Sequence, residues 1–263
     1  MLLFKSELKR TFTNDNINRF YIFSTLLWPI MALIHILYNL SVFPIRDIKI
    51  YNVNNEKDLM FYIFIGYFIY TIFANSTHAG YRLGDERYQG TLSQIFISPV
   101  NKLAWLYFRT FSQIVSTSWF FFIIFLVYGI VYFWNTLSTL NYVVFAMLVL
   151  LICSWIWASL VSSVCIILRD STILFILLEG AQASFSGYRV PLVISPKIIR
   201  LVGSLIPLSY TIIYVRAVLI DFSIMNIILV NLIIINIVMI IVTAILIKYG
   251  ELHLRRNGAF DIY

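Results

Sequence analysis

Long apolar runs alternate with short charged stretches along this chain, and the runs have the length of bilayer crossings. A crossing takes about 17–25 mostly apolar residues. Five runs reach that length or come close to it: 20–43, 59–80, 105–134, 142–168 and 224–247. A sixth, from Thr172 to about Gly187, sits at the short limit and is interrupted by Glu179, Gly180 and a run of small residues. The segment Tyr188–Phe222 breaks the pattern. Pro207 divides it into Ile198–Ile206 and Leu208–Ile220, with Pro191 and Pro196 ahead, and neither half is long enough to cross. Lys197, Arg200 and Arg216 would also be costly at mid-membrane. The pattern predicts two short helices that enter the membrane and return to the same face; a single Pro-kinked seventh span is the alternative.

Two polar stretches carry a pattern of their own. Residues 81–104 form a charged loop in which Thr91 and Gln94 have the spacing of a capping box. Leu92, Ile95 and Phe96 then follow at i, i+3 and i+4, so a short helix would carry one apolar ridge. Ser98-Pro99 fits the N-cap and first position of the next helix. Residues 1–19 mix Leu2, Leu3, Phe4, Leu8 and Phe12 with Lys5, Lys9 and Arg10, which suits a helix lying along the inner headgroups.

Composition confirms the solvent and narrows the chemistry. Of 263 residues, 61% are hydrophobic and only 12% charged, too little polar surface to cover a soluble domain. The net charge of +7 is spread out, which gives no reason to expect nucleic acid. With six spans and both termini inside, 12 of the 19 basic residues are cytoplasmic, as the positive-inside rule favours. The island at 81–104 is then cytoplasmic too. There is no phosphate-cradling Gly-rich motif, no His-Glu-x-x-His pair and no nucleophile elbow, while His35, His78 and His253 are scattered. No catalytic residue and no metal site are expected, and the chain reads as a conduit or transporter subunit, not an enzyme. Glu179, with Gln182 on the same helical face, is a candidate for a substrate path or for a structural bond, for instance to Arg216. Ser154, Ala158 and Ser162 form a small-residue stripe suited to close helix packing.

Glu86-x-x-x-Gly90-Thr91-Leu92, followed by Ser98-Pro99-Val100, resembles the cytoplasmic signature of type-2 ATP-binding-cassette exporter permeases. So do Ser186-Gly187-Tyr188-Arg189-Val190-Pro191, then Pro196, Ile206-Pro207-Leu208-Ser209-Tyr210 and Arg216. The resemblance covers essentially the whole chain, and it departs at Gln94, where many relatives carry Glu. It implies an all-α integral membrane fold of six transmembrane helices. An N-terminal interfacial helix, a coupling helix between spans 2 and 3, and a re-entrant hairpin between spans 5 and 6 complete it. It also implies a second permease chain, expected to form a homodimer, and two copies of a separate ATPase subunit holding ATP and Mg, with no cofactor on this chain. Glu86, Gly90, Thr91, Leu92 and Pro99 would belong to the ATPase contact, to which Ile95 and Phe96 add an apolar anchor. Residues 188–222 would be an outer gate involving Tyr188, Pro191, Pro196, Pro207 and Tyr210. The function so implied is export of an amphipathic drug, antimicrobial peptide or similar substrate across a bacterial cytoplasmic membrane. Lipid-linked polysaccharide or teichoic acid is the alternative cargo. A self-sufficient ion-coupled carrier or channel, with Glu179 as its ion site, is the alternative mechanism.

Overall fold

The computed structural model describes residues 2–15, 56–88, 90–132, 137–168, 172–189, 195–220 and 226–257, together with Leu192 and single positions between 23 and 38. Among the described residues the fold is all-α, without strands. The helices are α1 (Leu2–Asp15), α2 (Glu56–Tyr88), α3 (Thr91–Ile97), α4 (Lys102–Tyr132), α5 (Leu137–Ile167), α6 (Thr172–Phe185), α7 (Lys197–Gly203), α8 (Pro207–Ile220) and α9 (Asn226–Asn257). Among the described residues, four stretches are long and apolar enough to cross a membrane: Leu59–Leu83, Lys102–Phe125, Asn141–Ile167 and Ile227–Leu252. A fifth arises if α7 and α8, bent by 93°, count as one span. The chain is a membrane-spanning helical protein.

The expected span 20–43 lies mostly outside the described residues; within it Phe23, Leu27, Ile30, Met31, Ile34 and Tyr38 are helical and exposed. The expected span from Thr172 to about Gly187 ends at Phe185 after 14 residues. At 1.5 Å per residue that is about 21 Å, short of the roughly 30 Å hydrocarbon layer. In the other direction, α2 does not stop at residue 80 but runs to Tyr88, so the first part of the charged island is helix and not loop.

α2 is the central post. Its span is 83% buried, whereas that of α9 is 22% buried and turns Ile234, Ile237, Ile241 and Ile245 outward. Phe68 of α2 stacks on Phe125 of α4 at 4.9 Å. A Cβ on Gly80 would lie 2.7 Å from Val161 and 3.3 Å from the Ser162 backbone nitrogen, so α2 and α5 meet at near-backbone distance. Ser154, Ala158 and Ser162 are fully buried and pack within the chain.

Pro207 ends the run through α7 as expected: its ring cannot continue a helix, but it suits the first position of α8, where the missing N–H costs nothing. The turn is closed by Ser204 N donating to Arg200 O at 2.9 Å and Leu205 N to Val202 O at 3.1 Å. From α8, Arg216 points inward and is 4% exposed. Its Nη1 donates to the Tyr62 hydroxyl at 2.9 Å and to Gly187 O at 3.2 Å. Its Nη2 donates to Tyr62 O at 3.2 Å and to Tyr188 O at 2.9 Å. The guanidinium also lies 3.7 Å from the Tyr62 ring centroid. One cation thus ties α8 to α2 and to the carbonyls just beyond α6. The bond to Glu179 that the sequence allowed is not the one Arg216 makes.

Gly66 supplies the space for this latch: a Cβ there would lie 2.5 Å from the Tyr188 carbonyl oxygen and closer still to the Arg216 guanidinium. Gly66→Ala should therefore destabilise the fold by about 1–3 kcal/mol, as overpacking a filled site does. Gly180→Ala, where nothing lies within 4 Å of a built Cβ, is the matched control with little effect. Thermal unfolding of the two purified variants in one detergent checks the contrast.

Candidate functional site

The end of α2 is built around one left-handed residue. Gly90 has φ 70 and nothing within 4 Å of where a Cβ would stand, so the need for glycine there is purely conformational. α3 begins at Thr91, whose hydroxyl donates backward to Glu86 O at 3.0 Å. The expected capping box does not form: Gly90 holds the N-cap position, no side chain caps the helix, and the Gln94 side chain is exposed. Nor does Ser98-Pro99 start the next helix. Ser98 closes α3, and Asn101 caps α4 by accepting from Leu103 N at 3.1 Å and Ala104 N at 3.2 Å. Lys102 Nζ folds back onto Ile95 O at 3.0 Å and onto Ser98 O, placing a cation on the carbonyl end of α3.

The apolar ridge of α3 exists but faces inward. Leu92 and Phe96 are 3% and 2% exposed, in one cluster with Leu83 of α2, Trp105 and Leu106 of α4, Ile166 of α5 and Ile247 of α9. These two side chains are therefore not the anchor offered to a partner, and Ile95 is only half-exposed. What α3 presents outward is Ile97, 78% exposed, flanked by the exposed Gln94, Pro99 and Asn101. Sequence periodicity missed Ile97 because it stands one residue, about 100° of helix, off the ridge.

Beneath α3 lies a buried charge node. Glu86, expected as a contact residue, is 5% exposed and receives Arg109 of α4 in a close ion pair and Arg10 of α1 at 2.8 Å. Arg109 Nη1 also donates to the Thr11 hydroxyl at 2.9 Å and lies 3.6 Å from Glu7. Trp105 Nε1 donates to Glu7 at 3.2 Å. Two carboxylates and two guanidiniums sum to zero, which offsets the burial of Glu7, Glu86 and Arg109, while Arg10 closes the node from its half-exposed side. Phe4 adds ring contacts to Phe108 at 5.5 Å and Phe111 at 5.9 Å. The N-terminal helix is thus clamped to α4 through its Phe4, Glu7 and Thr11 face, while Lys5 and Lys9 stay exposed.

The remaining candidates separate. Gln182 is 1% exposed and sits with its amide nitrogen 3.4 Å from the Thr77 hydroxyl of α2, which Trp157 Nε1 of α5 also reaches at 3.1 Å. It knits three helices together. Glu179 is half-buried and, among the described residues, makes no hydrogen bond or ion pair. At the other end of the molecule Tyr188 is 2% exposed and stacks on Tyr70 at 4.3 Å and 9°. Pro196 caps α7, Pro207 is buried and Tyr210 is half-buried against the core, while Pro191 lies outside the described residues. Tyr62 and Glu86 stand 24 residues apart on α2, about 36 Å, so the Arg216 latch and the charge node are separated by about the thickness of a bilayer. Among the described residues no group of three or more His, Cys, Asp or Glu side chains converges as metal ligands.

No protein-family model and no curated protein matches this chain.

Removing one partner of the node strands the other charge. Glu86→Leu or Arg109→Met alone should each cost about 3–5 kcal/mol, whereas the double variant should recover much of that loss. A double-mutant cycle on thermal or denaturant unfolding reads the coupling directly.

Proposed function

We propose that this chain is the membrane subunit of an ATP-driven exporter. It would pair with a second permease chain and work with two copies of a separate ATPase subunit that holds the nucleotide and Mg. The membrane is a bacterial cytoplasmic one, with both termini in the cytosol. The observation that carries the reading is the mounting of α3. Seven residues are too few to hold a helix in water unaided. Here Leu92 and Phe96 fix it to a cluster shared by α2, α4, α5 and α9, leaving Ile97, Gln94 and Pro99 as a stiff outward knob. Such a knob suits a groove on a partner protein. A push on it reaches the ends of four membrane helices at once. ATP hydrolysis belongs to the partner; this chain supplies two shapes with different affinity for cargo. The exposed apolar side of α6, with Ile173, Ile176 and Leu177 beside Gly180, offers a face for the second permease. The cargo we favour is an amphipathic drug or antimicrobial peptide, with lipid-linked polysaccharide or teichoic acid as the other candidate.

Glu179 favours one rival reading, an ion-coupled carrier acting alone, because it is an acidic side chain on an apolar helix without a described partner. The two are separable. Ile97→Arg should weaken ATPase association about 10–30-fold and abolish ATP-dependent export while thermal stability stays at the wild-type level. Full export by that variant would overturn the exporter reading. Glu179→Ala should lower export without preventing assembly with the ATPase. Uphill flux in vesicles holding the purified chain alone, lost on Glu179→Ala, would establish the carrier instead.

A further inference from the structure

A cavity of about 370 Å³ opens beside the turn between α6 and α7, next to the Arg216 latch, whose acceptor residues Gly187 and Tyr188 form part of its wall. Its walls include Ser184, Gly187, Tyr188, Arg189, Ser195 and Pro196. Tyr188, which stacks on Tyr70 and whose carbonyl meets Arg216 beside Tyr62, places it toward the Tyr62 end of α2 and away from the charge node. Three features of the wall and of the α7 surface next to it select a ligand. Arg189 is exposed and its guanidinium lies over the Tyr188 ring at 5.1 Å, so a cation stands at the cavity against an aromatic plane. Lys197, next to Pro196, adds a second exposed cation, and Ser184 and Ser195 add hydroxyls. Beside these, α7 holds Ile198, Leu201 and Leu205 at 76%, 69% and 75% exposure, an apolar strip running away from the cavity.

We propose that this cavity binds the phosphodiester headgroup of an anionic phospholipid, whose acyl chains lie along Ile198, Leu201 and Leu205. Cations and hydroxyls meet the phosphate, and the apolar strip meets the chains, so both halves of one amphipathic molecule are matched. The volume falls within the range of small-molecule sites. The same wall discriminates between headgroups. A quaternary ammonium seeks an aromatic face, but the Tyr188 face is already covered by Arg189, and a choline would bring its charge against that guanidinium. A headgroup with net negative charge meets no such repulsion. The inference stands whether the chain exports its cargo with an ATPase or not.

The full chain is reconstituted in nanodiscs of equal phosphatidylglycerol and phosphatidylcholine, and the lipid retained after extraction is read by native mass spectrometry. Phosphatidylglycerol should be enriched about fivefold, the ratio that one nearby cation contributes. Arg189→Gln should remove most of that enrichment. Ser184→Trp should do the same by filling the cavity without changing charge, and Lys9→Gln, on α1 at the charge-node end, should leave it intact. Equal retention of the two lipids by the wild type overturns the proposal, as does unchanged enrichment in both cavity variants. Excess inorganic phosphate should leave the lipid in place; if it displaces the lipid, the site recognises a free anion and the headgroup assignment falls.

Discussion

A guanidinium that leaves water inside a lipid-embedded bundle has to be met by acceptors, and this chain sets that demand twice along one helix. Near one end of α2, Arg109 is received by Glu86 and Thr11. Near the other, Arg216 is received by Tyr62 and by the carbonyls of Gly187 and Tyr188. Much of the rest of the architecture follows from satisfying these two cations. α1 is held at the bundle because Glu7, Arg10 and Thr11 complete the first set. The backbone past α6 closes under α8 because its terminal carbonyls complete the second. Gly66 is bare because any side chain would occupy the place of the guanidinium.

The smaller polar groups inside the spans solve the same problem locally. Thr71 donates to Tyr67 O at 2.9 Å, Ser76 to Ile72 O at 2.7 Å, Thr117 to Gln113 O at 2.9 Å and Thr243 to Met239 O at 2.8 Å. Each hydroxyl returns its proton to the carbonyl one turn back and so presents little polarity to lipid. This is how α2 and α4 accommodate many Ser and Thr residues within long apolar helices. Asn236 does likewise, donating to Leu232 O at 2.8 Å and reaching Cys153 at 3.3 Å.

What the sequence made legible divides along physical lines. The crossings 59–80, 105–134, 142–168 and 224–247 were readable because apolar length is a nearly sufficient signal in a bilayer. Their ends were not, since α2 continues beyond residue 80 for two more turns on ordinary backbone bonds. The ridge on α3 was readable from its spacing, but periodicity says only that an apolar face wants a neighbour. That Leu83, Trp105 and Ile247 supply it depends on contacts far away in the chain. Glu86 looked exposed because its sequence neighbours are charged, yet its partners Arg10 and Arg109 sit in other helices. By sequence Arg216 could pair with Glu179, yet it is met by the Tyr62 hydroxyl and three backbone carbonyls from other elements. A bare glycine at 66, within the bulky aromatic run of α2, was the one local hint that something large arrives there.

The hydroxyl of Thr77 holds a single proton and two lone pairs, and all three are committed. The proton serves Phe73 O at 3.0 Å. With it gone, the Gln182 carbonyl oxygen at 3.5 Å has nothing to receive, so the amide nitrogen at 3.4 Å takes the near position, opposite the indole N–H of Trp157. The polarity of the whole junction between α2, α5 and α6 is thereby set by where one hydrogen atom goes. A valine would fill the same volume and strand two donors in hydrocarbon, so the junction distinguishes between near-isosteres by proton count alone.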